Sequence, residues 1–183
     1  MIAITSLLDK KHSDRVSELT EHLEKRFGLS GVKVTPYPHL TLLTAEVPDM
    51  EELKQYLELT CFEMPDFTIR TTGLGIFPGP TPVVYIPVLR TTQLNQLHAK
   101  LHRDISEMSS EMGLYYNPNM WLPHISLALG DTTPKMLGPV LAFLSNFNFT
   151  WEITLDNITI LQKSGDYFLK EEEFRFGRRE LIS

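Results

Sequence analysis

The sequence predicts an α+β fold: duplicated β-α-β-α-β units forming two pseudo-twofold-related lobes, each an antiparallel or mixed sheet with outer helices, around a central cleft. Three observations predict it. Strand-like and helix-like periodicities follow the order β-α-β-α-β, break at the turn-rich GIFPGPTP (75–82), and then repeat that order. The third element of each half carries one short pattern, PHLTLL at 38–43 and PHISLA at 123–128. Phe67-Thr68 opens the strand after the first unit, as Phe149-Thr150 does after the second.

Each element has its own local reason. Residues 2–8 are short, apolar and partly β-branched, which reads as a strand. Residues 12–27 place Val16, Leu19, Leu23 and Phe27 at helical spacing and close on Gly28 as the residue after the helix. The histidine strand follows a loop holding Pro36 and Pro38. Asp49 is a predicted N-cap, with Glu51 and Glu52 in the first turn and Leu53, Tyr56 and Leu57 facing inward, in a helix ending near Thr60. Residues 67–74 and 83–89 read as strands on either side of the glycine- and proline-rich turn.

In the second half a helix over 92–112 carries Leu94, Leu97, Leu101, Ile105 and Met108 on one face, with Gly113 after it. Pro118 and Pro123 mark a loop, and 124–129 is the second histidine strand. Thr133 and Pro134 open a helix running to about Ser145 as N-cap and first helical residue. Residues 149–161 form a strand, Gly165-Asp166 a hairpin turn, and 167–176 a closing strand. The whole, 1–183, is expected to be one bilobal domain with repeat halves at approximately 1–77 and 83–176.

Composition bounds the function classes. The 183 residues are 42% hydrophobic, enough for one sizeable core, and carry a net charge of −6. That charge argues against a broad basic face for a long nucleic-acid duplex but leaves room for a nucleotide or a short strand. The single cysteine, Cys61, excludes an intrachain disulfide and a thiolate metal cluster and fits a reducing compartment. With no signal-like N-terminus and no membrane-length apolar run, the expected setting is cytoplasmic, away from membranes, as a monomer.

The histidine strands carry the chemistry. In PHLTLL, alternation puts Leu40 and Leu42 on one face and His39, Thr41 and Leu43 on the other. Taken alone, an imidazole beside a hydroxyl is either a satisfied core pair or a reaction site. The second copy decides between them. His124 and Ser126 repeat the pair, again behind a proline, with apolar residues after the histidine and after the hydroxyl. Core packing explains one such site but not a matched pair.

With these motifs, His39-Leu40-Thr41 and His124-Ile125-Ser126, the chain resembles the 2H phosphoesterases, which include bacterial 2′-5′ RNA ligase-like proteins and cyclic nucleotide phosphodiesterases. The resemblance runs to the strand at Tyr167, and GIFPGPTPVVYIPV is similar to the family's Gly-x-Phe-Pro turn. It implies that His39 and His124 are catalytic and that Thr41 and Ser126 bind phosphate. The implied reaction is metal-independent and needs no cofactor. It acts on a 2′,3′-cyclic phosphate or 2′-5′ linkage of a nucleotide or short RNA, and is reversible as ligation. Ligase-like members often carry an arginine after the second motif; here the chain continues Leu127-Ala128-Leu129-Gly130.

Chemistry supports the same assignment. In-line displacement at phosphorus needs a base on the attacking oxygen and an acid on the leaving one. Two imidazoles with ordinary pKa near 6.5 supply one of each near neutral pH, while hydroxyls donate to the non-bridging oxygens. A binding protein that holds an RNA end or nucleotide on the same fold is the alternative; a metal phosphodiesterase lacks its Asp and His clusters.

Tyr37, Phe77, Tyr85 and Trp121 are candidates for stacking a base, with Tyr116 a further aromatic near the motifs. Lys163 and Arg70 are candidate phosphate cations. His98 and His102, four apart on a helix, are expected on a solvated face, His12 and His22 at the surface, and Cys61 as a buried or idle thiol.

Overall fold

The computed structural model describes residues 1–177 and contains four α-helices and ten strands among them. Strand β1 (Ile2–Leu7) leads into α1 (Lys10–Phe27), then β2 (His39–Glu46) and α2 (Met50–Phe62). Strands β3 (Phe67–Arg70), β4 (Gly75–Phe77) and β5 (Val83–Pro87) precede α3 (Thr92–Glu107). The two-residue β6 (Glu111–Met112), β7 (His124–Ala128), α4 (Leu137–Leu144), β8 (Glu152–Leu155), β9 (Asn157–Ser164) and β10 (Tyr167–Arg175) complete the order.

All strand pairs are antiparallel, in a five-stranded sheet β10-β9-β1-β2-β6, a three-stranded sheet β4-β5-β7 and the pair β3-β8. The sheets are not partitioned by sequence half. Strands β9 and β10 join the sheet of β1 and β2, while β4 pairs with β5. Apolar faces of both larger sheets bury Ile4, Leu40, Leu42, Ile86, Ile125, Leu127 and Ile160, each 0–1% exposed. Burial of such a side chain contributes about 1.5–3 kcal/mol.

Helix ends follow their caps. The Asp9 carboxylate accepts from the His12 amide at 2.9 Å, starting α1 at Lys10 rather than residue 12. Gly28, with φ of 72°, ends it as expected. Asp49 caps α2 through the amides of Glu51 and Glu52. Helix α3 stops at Glu107, short of the expected 112. Ser109 Oγ turns back to the Ile105 carbonyl at 2.6 Å, and Glu111-Met112 pairs with the edge of β2 instead. Pro134–Met136 forms a 3-10 turn before α4, and Thr133 makes no side-chain cap bond.

Two expected strands are each divided. Residues 67–74 break after Arg70, and Gly73, at φ of 59°, turns the chain into β4. The stretch 149–161 changes partner at Asp156: β8 pairs with β3 and β9 with β1. Asn157 fixes the change, accepting from the Leu7 amide and donating to the Leu7 carbonyl, both at 2.9 Å.

Two histidines lie where the sequence reading did not put them. His12 is 4% exposed rather than at the surface, with Nδ1 at 2.7 Å from the Asp9 carboxylate. His98 is 1% exposed rather than solvated, its ring parallel to Trp121 at 3.8 Å. Both fall on the buried stripes of their helices, at 12-16-19-23 and 94-98-101-105. His22, half exposed, is at the surface as expected.

Candidate active site

The histidine strands meet across the two sheets: β2 of the five-stranded sheet lies alongside β7, the edge strand of the three-stranded one. Each pairs with the first strand of its half, Thr41 opposite Thr5 on β1 and Ser126 opposite Tyr85 on β5. Register shifts in both ladders directly after the hydroxyl residue, leaving Leu42 and Leu127 unmatched. A bulge at that point turns two consecutive side chains inward. Leu43, expected beside His39 and Thr41, is therefore fully buried, as is Leu42. Leu127 and Ala128 are the corresponding buried pair.

His39, Thr41, His124 and Ser126 line one cleft of about 440 Å³, closed on its other sides by α1 and by the segment from Val32 to Pro38. His39 Nδ1 lies 2.6 Å from the carbonyl of Tyr37, and His124 Nδ1 lies 2.7 Å from that of Leu122. A carbonyl only accepts, so each Nδ1 carries a hydrogen. Nε2 is left as the nitrogen that takes or gives a proton. The residue two positions before each histidine thus sets its tautomer.

Both imidazoles titrate below the ordinary histidine value. Burial is the main cause for His39; the Tyr37 carbonyl opposes it, and the charge of His124 adds to it. Burial likewise lowers His124, against the Leu122 carbonyl.

The remaining sequence candidates divide. Tyr37 and Phe77 line the cleft, as does Tyr116. Phe77 meets the His124 ring nearly at right angles, 4.9 Å between centroids. Tyr85 does not line it. At 7% exposed it sits beneath, stacked on Phe77 at 4.2 Å and tilted against His124 at 5.1 Å. Trp121 is a core residue rather than a stacking surface: 3% exposed, it packs on His98 and donates Nε1–H to the Thr41 carbonyl. Arg70 and Lys163 lie outside the cleft, with Arg70 paired to Glu152. Cys61 is buried, its thiol pushed up to about 12 by burial.

A family model described as the 2′-5′ RNA ligase superfamily matches residues 9–167. The chain belongs to this superfamily. Membership of the 2′-5′ RNA ligase superfamily supports a phosphoesterase- or ligase-like enzyme, and solved structures support the fold. TT0787 of Thermus thermophilus shares 17% identity and a TM-score of 0.64, covering 98% of this chain and 99% of that one. A crystal structure titled as a phosphoesterase shares 16% identity and a TM-score of 0.57, covering 96% and 97%. No curated protein matches the chain. No described helix is long and apolar enough to cross a membrane.

Several cleft residues, among them Ser17, Thr20, Glu21 and Lys33, were not marked by the sequence patterns. Lys33 comes from a 3-10 turn, Gly31–Val34, that the loop composition did not announce. It lies shortly before His39 in the chain, and the fold brings its turn beside the end of the second motif strand.

Proposed function

We propose that this member of the 2′-5′ RNA ligase superfamily is a metal-independent phosphoesterase using two-histidine general acid–base catalysis. Its proposed substrate is a 2′,3′-cyclic phosphate or 2′-5′ phosphodiester of a nucleotide or short RNA. The observation that carries this reading is the matched tautomer: two imidazoles on one cleft, each with Nδ1–H held by a carbonyl two residues upstream. Such an arrangement offers one Nε2 lone pair and, after protonation of the partner, one Nε2–H.

In hydrolysis the neutral imidazole takes a proton from water as its oxygen attacks phosphorus. The protonated one delivers its Nε2 proton to the leaving ribose oxygen. Thr41 and Ser126 donate to the non-bridging oxygens, where charge develops. Replacing water by a 5′-hydroxyl runs the same steps as ligation. Phe77 and Tyr37 offer rings for a base. The matched bulges after Thr41 and Ser126 support reading the chain as one domain of two related halves, approximately 1–77 and 83–176.

The test is incubation of the protein with a panel of 2′,3′-cyclic nucleotides and 2′-5′ dinucleotides in the presence of EDTA. Turnover of at least one class that survives chelation is expected. Binding without turnover would replace the enzyme by a nucleotide-binding protein. Activity lost to EDTA and restored by a divalent ion would replace the mechanism.

A further inference from the structure

The cleft is short of positive charge. Apart from the two histidines, Lys33 is the one cationic side chain among its described lining residues, and Glu21 brings a carboxylate, 3.5 Å from Lys25. A phosphodiester arrives with a full negative charge, and removing that charge from water is costly unless cations or donors replace the solvent. Two hydroxyls and two imidazoles with depressed proton affinity are weak compensation.

Lys33 is held where it meets this need. The Asp131 carboxylate accepts from the amides of Ser30 and Gly31, each at 2.7 Å. Gly31 approaches β7 so closely that an added Cβ would lie 2.1 Å from the Leu129 carbonyl. The turn carrying Lys33 is thereby seated on the end of the strand that bears His124 and Ser126. Its ammonium is engaged by Glu24 of α1, with the two side chains 41% and 43% exposed. So solvated an ion pair contributes little and opens easily.

We propose that Lys33 is the cation that binds the substrate's phosphate, and that Glu24 competes with the phosphate for it. The phosphate as ligand rests on the function proposed above; the competition rests on the ion pair. A lysine head is a compact charge with three rotatable donors on a flexible stem, so it passes from carboxylate to phosphate while the turn stays fixed. Lys33 makes and breaks no covalent bond here and moves no proton. Competition has a signature that fastening lacks: the two members of one ion pair act on affinity in opposite directions.

The experiment compares the full chain with K33Q, K33R and E24Q. It measures kcat and KM for adenosine 2′,3′-cyclic phosphate, and Kd for adenosine 2′-monophosphate by calorimetry, at low and high salt. K33Q is expected to raise KM and Kd by about 5–50-fold, with a smaller effect on kcat and a flatter salt dependence. E24Q is expected to lower both by about 2–5-fold. K33R, which keeps the charge, stays nearer wild type than K33Q does. If K33Q and E24Q shift Kd in the same direction, the pair only fastens the turn to α1 and the proposal is overturned. It is also overturned if K33Q leaves Kd unchanged, or if the wild type does not bind the monophosphate. Opposite shifts in Kd without turnover of the cyclic phosphate uphold the Lys33 assignment and remove the catalytic reading instead.

Discussion

Trp121 donates its indole N–H to the backbone carbonyl of Thr41 at 3.2 Å, so the segment entering one histidine motif is bonded to the strand that carries the other. Arg90 holds that segment from outside, donating to the carbonyls of Trp121 and Pro118 at 3.3 and 2.9 Å. Trp121→Phe keeps a smaller ring against His98, removes the donor and leaves a small cavity where the rest of the indole was buried. We expect a loss of about 2–4 kcal/mol in stability. Turnover should fall further than KM rises, because the spacing of the motifs loosens while the phosphate donors remain. Denaturant melts and steady-state kinetics on the same preparation check both.

His39→Ala and His124→Ala should each lower turnover by about 10²–10⁴. Thr41→Val and Ser126→Ala should cost about 10–10³, each removing one donor to a phosphate oxygen. The double histidine variant should be little worse than the worse single one, since the pair acts as a unit. Neither histidine is fully buried, and Leu40 and Ile125 carry the packing, so circular dichroism should show folded protein throughout. An unfolded His39→Ala beside a fully active His124→Ala would make His39 a packing residue.

The profile of kcat/KM against pH should be a bell with its centre on the acid side of the ordinary imidazole value of about 6.5. Burial lowers both histidines, so the singly protonated pair is populated below that value and drains away as pH rises. Each single variant that retains measurable activity should lose one limb. A bell centred near pH 8 would contradict the assignment of its limbs to these two groups.

His98 should make stability depend on pH. Burial is the main cause of its pKa falling to about 4, with the charges of His102 and Arg90 adding to it against the backbone carbonyls of Leu42 and Tyr116. The folded chain therefore binds this proton less readily than the unfolded chain, whose value is about 6.5. Its contribution is fully present above about pH 6.5 and is lost as pH falls toward about 4, on the order of 3 kcal/mol in all. Thermal melts from pH 7 to 4 should show the loss. His98→Phe, which keeps an aromatic ring on Trp121, should flatten the slope.

Much of this architecture was legible because it is written in local patterns. The motif pair gave the four polar side chains that meet in one cleft, and cap residues gave the end of α1 and the start of α2. What escaped is set by partners distant in sequence. Asp156 looks like one more strand residue until β8 and β9 are seen to pair with different neighbours. The bulges at Leu42 and Leu127 break alternation without any glycine to mark them. Trp121, close before His124, invited a place in the cleft, but its ring turns into the core to meet His98, a residue of α3. His98 itself had a signal, its place on the 94-98-101-105 stripe, outweighed by the charged residues beside it.

The placement of β1 between β2 and β9 imposes an order on synthesis at the ribosome. The first partner follows soon after, but Asn157 begins β9 roughly 110 residues beyond the end of β2. At roughly 5–20 residues per second, the far edge of β1 stays open for on the order of ten seconds. During that wait a nascent chain displays the unpaired amides and carbonyls of Ile2 to Thr5, a template for strands of other chains. Long-range closure of this kind also slows refolding from denaturant. Expression at lower temperature, or with chaperones that shield nascent strands, should favour folded protein over aggregate.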